Sequence, residues 1–212
     1  MIISPASFKT WAELAPWVTM HVTQVPTFLV EDQLIVAARE FFRRSCVWRS
    51  QVITLLTTVA AQQEYAYSPP SNAELNRVHA AWVAGVEIDL ANVSDLAADD
   101  STTTDDTFAV GVRPTNVAFL VPAPVTAGQI VKARVSYKPS SSAVGIPFEA
   151  FDAWREAIGA GAAALLMRMA DKPWTSPAMA AELDKQFMAG VSDAALRGGR
   201  TGGRLKVVVS PC

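Results

Sequence analysis

Only two cysteines and two histidines occur among the 212 residues, and that scarcity removes whole classes of function. Cys46 and Cys212 cannot build the multi-bridge framework of a small secreted domain, and no C-x-x-C pair is present for redox or zinc chemistry. Cys46 is expected to be a small buried apolar residue near a helix end, and Cys212 a loose thiol at the end of the tail. With only His21 and His79 there is no H-E-x-x-H pair, and neither a G-x-S-x-G elbow nor a phosphate-binding glycine loop occurs. A triad built on His79 would need its Ser and Asp from elsewhere in the chain, so a strand position is the simpler expectation for His79. No catalytic residue, cofactor-binding residue or metal ligand is expected.

Long apolar runs are missing too. The longest helical one, Ala157 to Met167, is closed by Arg168 and falls short of the ~20 residues that cross a bilayer. Met1 to Thr10 holds no basic segment followed by an apolar run, so no secretory signal is expected and synthesis belongs in the cytosol. Charge of either sign is sparse. Eighteen basic and 20 acidic residues leave a net charge of -2, which excludes wrapping of nucleic acid by bulk charge. Hydrophobic residues, by contrast, make up 50% of the chain, enough to bury a core and to exclude disorder throughout. The length suits one domain, or a core domain with appendages.

The charge that exists is clustered. Asp95, Asp99, Asp100, Asp105 and Asp106 crowd one stretch, but it has no central glycine and no terminal bidentate Glu in loop register. A solvated acidic loop therefore outweighs a Ca²⁺ site. Arg39, Arg43, Arg44 and Arg49 form a local basic cluster that reads equally well as a partner-facing patch or as a solvated helix face.

The elements run helical, then β, then helical, then a glycine-punctuated tail. A short helical segment is expected over Ser7 to Met20, bent at Pro16. A stronger helix follows, with Thr27 as cap, Glu31 and Asp32 near its positive end, and Arg43 and Arg44 at its negative end. Its buried face is Leu34, Ala38, Phe41 and Ser45, with Ile35 and Phe42 beside them. Expected strands are Gln51–Thr57, Glu64–Tyr67, Arg77–Val83, Val86–Leu90, Thr107–Val112, Asn116–Leu120 and Ile130–Tyr137. Ala84-Gly85 reads as a tight turn. The last strand alternates Ile130, Lys132, Arg134 and Ser136 against Val131, Ala133, Val135 and Tyr137.

A third helix starts at Pro147 and carries Phe148, Phe151, Ile158, Leu165 and Met169 at helical spacing, until Pro173 ends it. Gly159 to Ala164 are all small, which invites close approach of another backbone. Ser176-Pro177 opens a fourth helix with Met179, Leu183 and Phe187 on one face, stopped by Gly198-Gly199. Two Gly-Gly pairs then separate this helix from Leu205-Lys206-Val207-Val208-Val209, a β-prone segment with no sequence-adjacent partner. These readings give an α+β fold. Residues 1–47 and 146–197 form a helical bundle, residues 48–145 a β-rich insert, and residues 198–212 an extended C-terminal arm.

Three stretches carry a resemblance. They are Leu34 to Arg49, a helix running into a Trp-containing strand; Pro147 to Leu165, with Trp154-Arg-Glu-Ala-Ile158 before Gly161-Ala162; and Lys172-Pro-Trp-Thr-Ser-Pro177 with the helix to Phe187. In this order the chain resembles the head-to-tail adaptor, or connector, proteins of tailed phages, including the tubular-tail adaptors of short-tailed phages. The resemblance implies a structural virion protein and not an enzyme. It implies a dodecameric ring beneath the portal that extends the DNA channel and presents a docking surface to a tail or nozzle protein. DNA would pass without specific binding, and the location would be the virion neck. In this reading Gly159, Gly161, Ala162, Trp154 and Trp174 pack helices or subunits. The arm Leu205, Lys206, Val207, Val208 and Val209 reaches the portal. Other readings are a further head-completion or tail-terminator protein, a small β-rich hydrolase, or a carbohydrate-binding module. Trp11, Trp17, Trp48, Trp154 and Trp174 fall in or beside helical parts, where core or interface use outweighs sugar stacking.

Overall fold

A computed structural model describes residues 8–91, 108–113 and 116–200, with the side chains of residues 199 and 200 left out. The acidic stretch Asp95 to Asp106, the arm Leu205 to Val209 and Cys212 lie outside the described residues. The fold is α+β. All seven expected strands are present, joined by two that were not foreseen.

The first unforeseen strand is β1 (Phe8–Thr10), which pairs antiparallel with the second, β9 (Gly145–Pro147). Three residues are too few to show alternation, so neither strand is visible in the sequence. The continuous helix expected from Ser7 is thus a strand followed by α1 (Trp11–Leu14) and α2 (Pro16–Thr19). The switch sits at Thr10, whose backbone N–H donates to the Glu13 carboxylate at 2.9 Å and satisfies one free helix-end donor. The Trp11 indole N–H donates to the carbonyl of Ala143 at 2.6 Å, pinning this segment beside β9.

α3 (Thr27–Ser45) begins one residue earlier than a Thr27 cap requires: Pro26 is the N-cap and Thr27 the first helical residue. Pro26 has no N–H to lose and presents its carbonyl to Leu29 and Val30. The helix ends at Cys46, which takes φ +48° and donates its N–H to Phe42 O at 3.0 Å. Cys46 is half-buried, not buried as expected, because this left-handed corner faces partly outward. The expected apolar face holds, with Leu34, Ala38, Phe41 and Phe42 fully buried.

The main sheet has the order β2-β8-β4-β5, from β2 (Arg49–Thr57), β8 (Ile130–Pro139), β4 (Ala73–Val83) and β5 (Val86–Ile88), all antiparallel. β4 starts at Ala73, four residues before the alternation does, because register shifts at Leu75/Arg77 and Val78/Ala80 break its period. Ala84 and Gly85, at φ +50° and +86°, close the β4–β5 turn. A second sheet, β3-β7-β6, comprises β3 (Glu64–Ala66), β7 (Val117–Val121) and β6 (Ala109–Arg113).

α4 (Phe148–Met167) follows β9, and Pro147 caps it instead of opening it. Its last helical residue is Met167, and a turn of irregular chain carries Met169 before Pro173 is reached. α5 (Pro177–Arg200) runs through Gly198, so the glycines do not stop it there. A Cβ on Gly198 would meet Val47 at 3.6 Å and the Arg49 guanidinium at 3.7 Å, ordinary contact distances. Leu183 and Phe187 are buried, whereas Met179, expected on the same face, is exposed in the first turn. α3 packs on both α4 and α5, so helices from the two ends of the chain share one layer. The buried side chains form a continuous cluster from these helices into the sheets. Trp48 is its hinge, edge-on to Phe42, Phe8 and Tyr137.

Candidate docking surfaces

The small residues of α4 meet two neighbours. A Cβ on Gly159 would lie 2.8 Å from the backbone carbonyl of Trp17, so α2 crosses α4 at nearly backbone distance. A Cβ on Gly161 would lie 2.4 Å from the ring of Phe187 on α5. Ala162 is fully buried between them. Trp154 sits at a kink in α4, with φ -136° and ψ 15°, and its indole N–H donates to Asp193 at 3.4 Å. Trp174 is half-buried against the core, and its indole N–H is enclosed without an acceptor among the described residues. Two further close approaches gave no sequence signal, because each is a lone glycine: Gly190 against Ala157, and Gly145 against the Lys9 carbonyl.

Between α3, α4 and α5 runs an open groove of about 680 Å³, lined by Val36, Arg44, Leu165, Arg168 and Met188 among others. The basic cluster on α3 is largely spent on its own acids here. Arg43 and Arg44 both clasp Glu40, and these hydrogen bonds hold its carboxyl down at about 2. Arg39 bonds Glu74 at 3.0 Å and the Pro139 carbonyl at 2.7 Å, and Lys138 bonds the other oxygen of Glu74 at 3.2 Å. Glu74 is mostly buried, so this bracket ties α3 to the main sheet.

The outer face of the main sheet is different. Directly opposed residues point to the same side of a sheet, and the register sets them in rows. Glu87, Trp82, Lys132 and Thr54 make one row; Ala80, Arg134 and Val52 the next; Arg77, Ser136 and Arg49 a third. The alternate residues Val131, Ala133 and Val135 fill the core behind. Among the described residues Arg49, Arg77, Lys132 and Arg134 form no salt bridge. Arg134 lies over the Trp82 ring at 5.9 Å. At the outer end, Val52, Trp82, Val83, Ile130 and Lys132 line an open hollow of about 590 Å³.

His79 sits in the β4 bulge beside these cations, and its Nε2 is enclosed without a partner among the described residues. Burial first, then the charges of Arg49, Arg77 and Arg134, push its pKa down from 6.5 to about 4. The unfolded chain therefore binds this proton more readily than the folded one. The stability due to a neutral His79 is complete above about pH 6.5 and is lost as pH falls toward 4. After discounting for solvent screening this is on the order of 1–2 kcal/mol. His79→Gln should flatten the stability profile between pH 6.5 and 4 in urea titrations; equal acid sensitivity in both proteins would refute the assignment. Among the described residues no cluster of His, Cys, Asp and Glu can hold a metal ion, and no helix is long and apolar enough to cross a membrane.

What the geometry presents is a set of surfaces: a helical layer with a groove, and a sheet face on which Arg77, Lys132 and Arg134 form no salt bridge among the described residues. A family model described as SU10 adaptor protein matches residues 7–207. No curated protein matches the chain.

Proposed function

Because the chain belongs to the SU10 adaptor protein family, we propose that it is a structural subunit of a phage head-to-tail adaptor ring and not an enzyme. The ring, dodecameric by resemblance, sits beneath the portal at the virion neck, extends the DNA channel and offers its far side to a tail or nozzle protein. The chain is made in the host cytoplasm. DNA passes without specific binding, in keeping with a net charge of -2 and a channel that must not hold phosphates tightly. No cofactor is required. The family match over nearly the whole described chain carries this reading. Trp154, Gly159, Gly161, Ala162 and Trp174 serve as packing positions for helices or subunits. The half-buried Trp174, whose indole N–H has no acceptor among the described residues, is the one of these placed to gain a partner on assembly.

The arm Leu205, Lys206, Val207, Val208 and Val209 leaves its subunit and adds a strand to a sheet edge of the portal. Backbone hydrogen bonds supply affinity, and Leu205, Val207 and Val209 set the register against Lys206 and Val208. Gly202-Gly203 lets arms cross between rings whose subunits do not match in position, and repetition around the ring adds avidity. Deleting Gly202 to Cys212 tests this. The truncated chain should keep its circular dichroism and melting temperature, since α5 ends at Arg200. It should lose portal docking and fail to retain packaged DNA. A truncated chain that unfolds, or one that docks normally, sinks the strand-addition reading. Gold labelling of assembled virions tests the location; label away from the neck would refute it.

A further inference from the structure

We infer that the groove between α3, α4 and α5 receives the exposed corner at the start of α3 from a second copy of this chain. The inference rests on the ring reading above and names the contact between neighbouring subunits.

The groove is apolar along its floor and cationic at its rim. Gly161 and Leu165 of α4, Val36 of α3 and Met188 of α5 line it, and Val36 and Met188 are 49% and 40% exposed. Five cations stand around it: Arg39, Arg43, Arg44, Lys138 and Arg168. Each has a carboxylate, but Arg43 and Arg44 share Glu40, and Arg39 and Lys138 share Glu74. Only Arg168 has one to itself, Asp184. Five cations against three carboxylates leave an excess of positive charge among the described residues. The guest that fits is an apolar side chain flanked by carboxylates.

The start of α3 has that chemistry. Phe28 is 67% exposed, Asp32 is exposed one turn on, and Glu31 beside it is half-buried. Neither carboxylate forms an ion pair among the described residues. The helix dipole accounts for carboxylates at this end, but not for the ring. Thr23, Gln24, Pro26 and Thr27 are exposed as well, so the corner stands clear of its own subunit. Aromatic rings, Met and Arg are the side chains that interfaces between proteins concentrate.

The corner cannot turn back into its own groove, because both belong to one helix. Phe28 lies ~18 Å along the axis from Glu40, which stands on the groove wall. The guest is therefore another copy. One copy's corner in the next copy's groove leaves a free groove at one end of the pair and a free corner at the other. Such a contact is heterologous, and repeated by rotation it closes a ring.

The test uses two full-length double variants. The corner variant carries Phe28→Ser and Asp32→Lys; the groove variant carries Val36→Glu and Met188→Glu. All four positions are exposed in the free chain, and circular dichroism with urea titration checks that both variants fold. Phe28→Ala alone, at the same exposed position, gives the same reading if a double variant misfolds. Sedimentation follows each chain at about 50 mM salt, where screening is weak. Each double variant alone should self-associate at least about tenfold more weakly than wild type. Mixed, the two should form a two-copy complex and stop there, because only one intact corner meets one intact groove. Self-association at wild-type strength in either variant overturns the inference and leaves the ring reading standing. Weakened variants whose mixture stays monomeric overturn it too, since the two surfaces then do not meet. A groove variant that self-associates normally but no longer docks to portal assigns the groove to portal and overturns it equally. A wild-type chain that stays monomeric, alone and with portal, counts against both readings.

Discussion

Gly159→Leu should destabilise the chain by at least ~3 kcal/mol, above the common range for overpacking. The reason is what the new side chain would strike. A Cβ alone at this position would stand 2.7 Å from the Trp17 Cβ and 2.8 Å from its carbonyl oxygen. Backbone cannot rotate away as a side-chain tip can, so α2 must be displaced bodily. That displacement uncovers Leu14 and Val18, both fully buried on the same short segment. At roughly 1.5–3 kcal/mol per apolar side chain exposed, partial uncovering of two reaches the stated figure. Gly161→Ala makes an informative companion, because its obstacle is a side chain, the Phe187 ring, and not backbone. It should cost ~1–2 kcal/mol less than Gly159→Leu. Urea titration with both variants measures this. A Gly159→Leu chain with an unchanged midpoint would mean that α2 is only loosely seated.

The run Gly159 to Ala164 shows how much the sequence reveals. Six consecutive small residues in an otherwise bulky helix announce a close approach, but not what approaches. The answer depends on α1 and α2, where a capping interaction at Thr10 and Glu13 overrides the expectation of one continuous helix. The main sheet was legible because β8 alternates cleanly, and that alternation already places Lys132 and Arg134 on one face. The third and fourth cations of the face were not. Arg49 and Arg77 come from strands with register shifts, and only the pairing to Ser136 brings them together. The cluster at Arg39, Arg43 and Arg44 was the more conspicuous signal, yet its charges are answered by Glu40 and Glu74, the latter on a distant strand. Charge density in sequence reports supply; only tertiary pairing reports what is left over. The helix terminators misled for a related reason. Gly198 marks a stop by propensity, but α5 runs through it to Arg200, and an intrinsic cost of ~1 kcal/mol does not by itself end a helix.

Phe41→Ala should have the largest effect of any single truncation, ~3–5 kcal/mol. Phe41 is fully buried on α3 at the point where α3, α4 and α5 converge. Its ring stands 5.7 Å from Phe42, 5.9 Å from Trp154 and 6.1 Å from Phe187, and Gly190 of α5 lies against its edge. Removing it opens a cavity whose walls are other aromatic rings held by their own neighbours. Trp154 is tied to Asp193 and Phe187 is wedged against Gly161, so neither can collapse inward. Each lost aromatic pair adds ~0.5–1.5 kcal/mol beyond the area term. The control is Phe28→Ala on the same helix, where the side chain is 67% exposed and the change should stay within about 0.5 kcal/mol. Urea midpoints should separate the two variants with an unchanged m-value, which would assign the difference to stability and not to a looser unfolded state. If the chain docks to portal as proposed, docking should partly rescue Phe41→Ala by mass action, because it would engage only the folded chain. A loss below about 1 kcal/mol in the free chain would show that the helical layer does not depend on this junction, and that the sheet side of the core holds the fold.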